Sequence, residues 1–316
     1  MNSQSDGERA VLTGILLIVL SMSIVPLMDG LAKVLSARYP VVEIVWARYF
    51  FHLLYLLPIV VVRFGASALI PRHPLLQIFR GGLLLISTFL FFAAIAQMPI
   101  ADALALVFIS PLIVTALSPV LLGEQVGSRR WAAVWTGFIG ALIIIRPGFI
   151  SIDTGTVLAL AAGIIYAFYM IATRKLSGTS PPLVTLTYTA LLGAVVTSAI
   201  VPFQWIMPGA FDFLLMAAMG LCAAAGHFLL IKAFEYAPAS VLAPFGYSEI
   251  VMATIIGFVI FGDFPDTWTW FGIAVIISSG IYVSIRERRF NKSTASVPAQ
   301  GPFPDIAKKA AADADQ

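Results

Sequence analysis

Residues 11–35 read VLTGILLIVLSMSIVPLMDGLAKVL, and their only charged side chains are Asp29 and Lys33. A helix needs about 20 mostly apolar residues to cross the hydrocarbon core of a bilayer, and this stretch is longer than that. No small-residue cleavage site follows it and further apolar stretches come after it, so we interpret it as a membrane span and not as a signal peptide. The sequence therefore predicts a protein that crosses the membrane.

The rest of the chain has the same character. Hydrophobic residues make up 60% of the 316 residues and charged residues only 11%, whereas about a quarter of the residues in a soluble domain are charged. Since helices are one of the two structures that can cross a bilayer, we predict an all-α bundle of ten transmembrane helices. The predicted spans lie near residues 11–35, 42–62, 79–97, 100–122, 131–149, 155–174, 182–203, 211–234, 239–261 and 267–286.

The two halves of the chain are related to each other. At an offset of 139 or 141 residues, glycine, proline and charged positions near the span ends coincide. The matches include Gly14 with Gly155, Lys33 with Arg174, Gly81 with Gly220, Pro99 with Pro238, Gly123 with Gly262, and Glu124 with Asp263. Five spans per half is an odd number, so the second half enters from the opposite side, and we predict inverted repeats that operate by alternating access.

The positive charges predict the orientation in the membrane. If both termini are cytoplasmic, the outer side has only Lys33, Arg38 and Arg146, and all other Lys and Arg residues except the intramembrane Arg48 lie inside. The predicted division is a cytoplasmic N-terminus (1–9), two five-helix repeats (10–149 and 150–287) and a disordered cytoplasmic tail (288–316).

Several motifs resemble a known family. They are Met28-Asp29-Gly30 with Lys33, EIVWARYF at 43–50, and the span ends LGE at 122–124 and FGD at 261–263. In this order and spacing they look like the EamA-repeat branch of the drug/metabolite transporter superfamily, over residues 10–287. The segment APFGYSEI at 243–250, followed by GDFPD at 262–266, is similar to bacterial S-adenosylmethionine and riboflavin uptake carriers. The resemblance implies ten helices and carriage of a small organic metabolite across a bacterial inner membrane, by uptake or by export.

Ionisable side chains inside the apolar stretches are the first functional candidates, because they are costly there unless they face a cavity or a partner. Asp29 and Lys33 are one turn apart, so they bind or gate the substrate or neutralise each other. Arg48 presents a planar guanidinium that suits a carboxylate, phosphate or carbonyl group, with an ion pair to Glu43 or Asp29 as the alternative. Trp46 is a weaker candidate, since it points about 200° away from Arg48 around the helix.

Helix breakers interrupt spans four and nine, and such paired interruptions point to a binding site at the midplane of the membrane. The breakers are Pro111 and Pro119 in span four and Pro244 and Gly246 in span nine. The offset of 139 sets Phe108 against Tyr247 and Ser110 against Glu249, and we expect these residues to line the site. Glu249 either contacts the substrate or a transported proton, or is a buried acid satisfied by a neighbouring helix.

Three further side chains complete the predicted site. Tyr166 and Tyr169 share a helix face and could stack on a planar ring, although aromatic residues in membrane helices often serve packing instead. His227 is a candidate proton relay together with Asp29 and Glu249. An aromatic cavity with one arginine favours riboflavin slightly over S-adenosylmethionine.

Other functions have less support. No HExxH or Gly-x-Ser-x-Gly motif occurs, and His52, His73 and His227 are not spaced as metal ligands, so we expect neither an enzyme nor a cofactor or metal. A channel would need a repeated filter motif, and nucleic-acid binding a basic stripe; neither is present. The single cysteine, Cys222, excludes an intrachain disulfide. The expected partners are a small-molecule substrate, the lipid bilayer and, as a further hypothesis, a second copy of the chain.

Overall fold

The computed structural model describes residues 2–70, 73–123, 128–145, 153–176, 179–236, 242 and 245–295. These ranges form helices and short turns, and no strand occurs within them. The helices are α1 (Asn2–Ser36), α2 (Val41–Phe64), α3 (Pro74–Ile95), α4 (Ile100–Val107), α5 (Ser110–Leu121), α6 (Ser128–Ile145), α7 (Thr154–Lys175), α8 (Pro182–Ile200), α9 (Ala210–Tyr236), α10 (Ser248–Ile256) and α11 (Thr267–Ala295). Proline precedes or opens several of them, because its fixed φ suits the first helical turn.

Seven helical segments are long and apolar enough to cross a membrane. In one of these segments, Ile100–Leu121, α4 and α5 are counted together. Three shorter apolar stretches lie outside the seven: Trp135–Ile144, Ser248–Phe261 and Thr267–Ser279. The protein is therefore a multi-pass membrane protein with an all-helical fold.

The predicted terminal segments are partly helical in the structure. Helix α1 begins at Asn2, within the predicted N-terminal segment 1–9. Helix α11 continues to Ala295, so residues 288–295 are helical where a disordered tail was predicted. No proline or glycine interrupts the chain between 287 and 295, which explains why the helix outlasts its apolar part. Residues 296–316 lie outside the described residues.

One end of the bundle brings together helix termini from both halves of the sequence. Lys33 near the end of α1 binds Asp263 beyond α10, and Arg38 between α1 and α2 binds Asp212 at the start of α9, each at 2.8 Å. We call this the Lys33 end, defined by Lys33, Arg38, Asp212 and Asp263.

The opposite end is organised around Arg80, near the start of α3. Its Nε donates to Thr173 Oγ1 near the end of α7, and its Nη1 donates to Thr189 Oγ1 near the start of α8, each at 2.7 Å. We call this the Arg80 end, defined by these three residues. Helix α1 thus ends at the Lys33 end while α7, its counterpart in the second half, ends at the Arg80 end, so the matching helices run in opposite directions.

Two serine hydrogen bonds follow the internal repeat. Ser21 in α1 donates to the Gly226 carbonyl in α9 at 2.7 Å, and Ser87 in α3 donates to the Ala162 carbonyl in α7 at 3.0 Å. The sequence offsets match Ser21 with Ala162 and Ser87 with Gly226, so the same pair of positions is bonded twice, with donor and acceptor exchanged. The contact of α1 with α9 is therefore repeated by that of α7 with α3.

The repeated glycines lie at equivalent contacts. A methyl group at Gly81 in α3 would lie 2.8 Å from Leu192 in α8, and one at Gly220 in α9 would overlap Phe51 in α2. Small residues let helices approach closely inside a bilayer, where lipid is as apolar as the side chains and packing drives association. The duplicated glycine thus supports the same interface in each half.

The predicted span ends also share a conformation. Gly123 and Gly262 have φ values of +70° and +73°, a left-handed geometry that glycine adopts without steric cost. Gly262 ends the π-helical turn Gly257–Phe261 that extends α10. Glu124, the predicted partner of Asp263 in the repeat, lies outside the described residues.

Candidate functional site

A cavity of about 380 Å³ lies between the helices of the two halves. It is mostly apolar with a few polar groups, as small-molecule sites usually are. Eight of the predicted site residues line it: Asp29, Arg48, Phe108, Ser110, Tyr166, Tyr169, His227 and Glu249. Lys33, Trp46 and Tyr247 do not line it, and each has another position described below.

Arg48 is fixed at the wall of the cavity by α1, α2 and α3. Its Nη1 donates to Thr88 Oγ1 at 3.0 Å, and its Nε contacts Met28 Sδ at 3.4 Å. The guanidinium lies 4.7 Å from the centre of the Tyr49 ring, a favourable cation–π distance. Within the described residues no carboxylate is close enough to form an ion pair with Arg48. The guanidinium is therefore surrounded by uncharged groups, and its positive charge remains available to a ligand.

The alternative ion pair of Arg48 with Glu43 is not formed. Glu43 is buried near the Lys33 end, where its Oε2 accepts a hydrogen bond from the Ile206 backbone N–H at 3.1 Å. The two side chains lie more than one turn apart on α2, so each forms its hydrogen bonds with a different neighbouring segment.

Two carboxylates face the cavity from different halves. Asp29 in α1 is 3% exposed, and Glu249 in α10 is partly buried. The described part of the chain supplies neither of them with an ion-pair partner. The cavity thus combines two acids with one nearby arginine, and a cationic group of a ligand would restore the balance of charge.

The alternative pairing of Asp29 with Lys33 is not formed. The Lys33 ammonium binds Asp263 at 2.8 Å and the Met98 carbonyl at 2.9 Å, and it lies 4.9 Å from the centre of the Phe261 ring. These partners surround the end of α1, and the flexible lysine side chain reaches them instead of turning back along its own helix. Lys33 therefore joins α1 to the end of α10, outside the cavity.

Trp46 lies on the other side of α2 from Arg48, as their spacing predicted. Its Nε1 donates to Ser198 Oγ at 2.9 Å, and its ring contacts Phe50 and Trp205 at 4.8 and 5.2 Å between centroids. These contacts join α2 to α8 and to the segment before α9. They give Trp46 a packing position away from the cavity.

The aromatic residues form two groups. Phe108 and Tyr247, which the repeat matches with each other, meet at 5.6 Å between ring centroids, where α4 ends at Val107 and α10 begins at Ser248. Tyr247 thus supports the cavity through Phe108. Tyr166 and Tyr169 stack at 5.4 Å on α7, as their shared helix face predicted. The first break lies at Phe108–Ile109, just before Pro111, which lacks the N–H that would continue the helix.

Arg80 was missed as a site residue. Its Nη2 donates to Tyr169 Oη at 2.8 Å, so it orients one of the rings that line the cavity. The sequence placed Arg80 at the edge of a span beginning near residue 79, whereas α3 begins at Pro74. A proline at the first helical position was the signal that could have placed Arg80 more than a turn inside the helix.

His52 was also missed. It is 3% exposed on α2, and its ring lies 5.8 Å from that of His227 on α9. The two histidines are far apart in the sequence, so spacing alone could not bring them together. No group of three or more metal-ligating side chains occurs among the described residues.

An all-helical, multi-pass membrane protein with two matched halves around one central cavity has the architecture of a transporter. The chain belongs to the EamA-like transporter family, whose family model matches residues 12–146 and 153–285. The two matched regions confirm the resemblance and the presence of two repeats. The protein is thus a transporter of small metabolites.

The relatives of this chain have several substrates. It is 28% identical to an S-adenosylmethionine uptake transporter of Rickettsia prowazekii, covering 90% of this chain and 97% of that protein. It is 27% identical to a riboflavin transporter of Rhizobium johnstonii (92% and 96% covered) and 29% identical to a pseudopaline exporter of Pseudomonas aeruginosa (86% and 96% covered). A solved crystal structure matches with a TM-score of 0.64 at 20% identity, over 90% of this chain and 99% of the other, which supports the fold alone.

Proposed function

We propose that the protein is a ten-span secondary transporter of a bacterial inner membrane, with inverted five-helix repeats and both termini in the cytoplasm. The opposite directions of α1 and α7 and the reciprocal serine hydrogen bonds support the inversion. With this orientation the Lys33 end faces outward, and the excess of Lys and Arg faces the cytoplasm. The halves rock around the cavity and expose it to either side in turn.

The proposed substrate is S-adenosylmethionine or a close analogue, taken up from outside. The observation that carries this choice is the charge of the cavity, where Asp29 and Glu249 face a single lining arginine, Arg48. S-Adenosylmethionine has a sulfonium, an ammonium and a carboxylate, so its two cations match the two acids and its carboxylate matches the guanidinium. Its adenine ring would lie against Tyr166 or Phe108. Riboflavin, which the sequence favoured, is planar but has no cation for the acids.

Riboflavin uptake remains the second candidate, because stacked Tyr166 and Tyr169 present a ring face to the cavity. Export of a zwitterionic metabolite is the third, since one of the relatives described above is a pseudopaline exporter and inverted halves work in both directions. Proton coupling through Asp29, Glu249 or His227 belongs to the same proposal: a proton would replace the substrate's cation on the empty carboxylates. A homodimer also remains a prediction.

Uptake by cells that express the chain tests the substrate. We expect saturable uptake of labelled S-adenosylmethionine, competed by the unlabelled compound and weakly by riboflavin. Arg48→Ala should lower uptake below saturation by at least about 10-fold, because a hydrogen bond to a charged group contributes about 1.5–3 kcal/mol. Asp29→Asn and Glu249→Gln should impair S-adenosylmethionine uptake more than any riboflavin uptake.

Arg63→Ala is the matched control, because Arg63 lies on the same helix but is exposed. It should transport like the unmodified protein at equal membrane levels. Uptake of riboflavin alone, insensitive to Asp29→Asn and Glu249→Gln, would replace the proposed substrate by the second candidate. Uptake of neither compound by correctly inserted protein would favour export. Dissipating the proton gradient without any change in rate or accumulation would exclude proton coupling.

A further inference from the structure

Behind the cavity wall lies a buried histidine that the proposed transport cycle does not use. His52 on α2 is 3% exposed, and neither Nδ1 nor Nε2 has a hydrogen-bond partner within the described chain. Buried polar atoms almost always have partners, so two unpartnered nitrogens on one ring need an explanation. The nearest ring is that of His227, which itself lines the cavity.

The two imidazoles are close to hydrogen-bonding distance. Their centroids are 5.8 Å apart and their planes are inclined by 57°. An N–H···N bond of about 3 Å between imidazoles corresponds to about 5.2 Å between centroids, because each nitrogen lies a little over 1 Å from its ring centre. A neutral imidazole carries one donor and one acceptor, so a pair of them can form this bond without any change of charge. With one nitrogen of each ring on the line between the centroids, the rings would need to approach by about 0.6 Å.

The two helices that carry the histidines are in close contact at this point. Gly220 on α9 faces the backbone of α2, and a methyl group there would lie 3.0 Å from the His52 backbone nitrogen. The absence of a side chain at Gly220 therefore lets α2 and α9 lie in close contact beside His52 and two turns before His227. One turn before His52 on α2 is Arg48, so a movement of α2 around a ligand at Arg48 would also move His52 relative to His227.

We propose that His52 is a positioning residue for His227: the two rings form an N–H···N hydrogen bond that fixes which His227 nitrogen faces the cavity. The bond forms as α2 and α9 fluctuate towards each other, and a substrate at Arg48 favours it. Because one ring nitrogen of His227 is then occupied, the other presents a defined donor or acceptor to the substrate. The inference rests on the proposed function, since it treats His227 as a residue that meets the substrate.

The 316-residue chain allows a direct spectroscopic test because its sequence contains three histidines. With 15N-labelled histidine in lipid nanodiscs, His52→Phe should shift the ring-nitrogen signals of His227 and leave those of His73 unchanged. Tyr55→Phe is the matched control, since the Tyr55 hydroxyl bonds the Ala217 carbonyl across the same α2–α9 contact at 3.4 Å. It should leave His227 unchanged. This measurement needs no substrate, so it decides the inference even if neither proposed compound is transported.

Transport kinetics supply the second readout. His52→Phe and His227→Phe should each raise KM about 10-fold with little change in maximal rate per inserted protein. The double variant should also show about a 10-fold rise, because His52 acts only through His227 and has no further effect once His227 is replaced. His52→Gln, which keeps a donor and an acceptor, should recover part of the loss. His227 signals that do not respond to His52→Phe, or a roughly 100-fold rise in KM in the double variant, would overturn the inference.

Discussion

The two ends of the bundle are held together by different chemistry. At the Lys33 end, each cation meets a carboxylate: Lys33 binds Asp263, and Arg38 binds Asp212. At the Arg80 end, the Arg80 guanidinium is bound by hydroxyl groups and by the Thr185 carbonyl, all of them neutral. Both networks connect the two halves of the chain. The difference indicates that the Lys33 end is fastened by paired charges, whereas the Arg80 end can exchange one neutral partner for another.

The extent of the cavity agrees with this difference between the Lys33 end and the Arg80 end. Its lining extends to Leu186 in the second turn of α8 and to Ile231 in the last turns of α9, both towards the Arg80 end. Towards the Lys33 end, the lining stops below the ion pair of Lys33 with Asp263. We therefore interpret the conformation as one that is closed at the Lys33 end, and the first three variants below test that interpretation.

The largest effect is expected from breaking the Lys33–Asp263 pair. Lys33→Met or Asp263→Asn should shift the protein towards states open at the Lys33 end by about 10- to 100-fold, because a charged hydrogen bond of about 1.5–3 kcal/mol is lost. The measurement is labelling of Met28→Cys, a cavity residue, by a membrane-impermeant maleimide applied from outside. Cys222→Ala removes the native thiol. Labelling should become several-fold faster, and uptake should fall by at least about 10-fold.

The charge-exchanged variant Lys33→Asp with Asp263→Lys should restore slow labelling. Lys232→Met is the matched control, since the Lys232–Glu235 pair is similarly short, at 2.7 Å, but connects two residues of one helix. An exposed pair of this kind contributes little, so labelling should not change. Equal labelling in Lys33→Met and the unmodified protein would contradict a closed Lys33 end.

A smaller effect is expected at the Arg80 end. Arg80→Gln should reduce uptake about 10-fold and lower the thermal unfolding temperature, because α3, α7 and α8 lose a shared partner. Arg80→Lys should recover little, since one ammonium group cannot reproduce the fork that reaches Thr173, Thr189 and Tyr169 together. Labelling of Met28→Cys from outside should stay slow, which separates this variant from those at the Lys33 end. Faster labelling would mean that the two ends do not act independently.

The comparison also explains what could be predicted from the sequence. Arg48, Asp29 and Glu249 were identified because a charge inside an apolar helix is costly wherever it points, and that cost depends on the sequence alone. The partners of such charges depend on tertiary structure: Lys33 lies 230 positions from Asp263, and its own helix offered Asp29 as a nearer candidate. The internal repeat predicted correctly which positions of the two halves are equivalent, because both copies of a duplicated segment keep the same residue spacing.

Other residues of the site could be identified only from the way the helices pack against each other. His52 faces His227 only because α2 lies against α9, and no spacing in the sequence encodes that contact. Arg80 was placed at the edge of a span because hydropathy locates the apolar part of a helix and not its first turns, and α3 begins six residues earlier, at Pro74.

The smallest effect is expected from a helix cap at the Lys33 end that takes no part in fastening it. Asp153 precedes α7, and its Oδ1 accepts a hydrogen bond from the Thr156 backbone N–H at 2.7 Å. Asp153→Ala should lower the free energy of unfolding by about 1 kcal/mol, as for other N-caps, and leave uptake and Met28→Cys labelling unchanged.

The hydrogen bond from Thr156 lowers the pKa of Asp153 below 3.8, so the ionised cap contributes fully at neutral pH and is lost only as the pH falls through the lowered pKa. Asp153→Asn, which caps without ionising, should unfold close to the unmodified protein at neutral pH. A loss of uptake in Asp153→Ala would mean that the closure of the Lys33 end extends beyond its ion pairs to the start of α7.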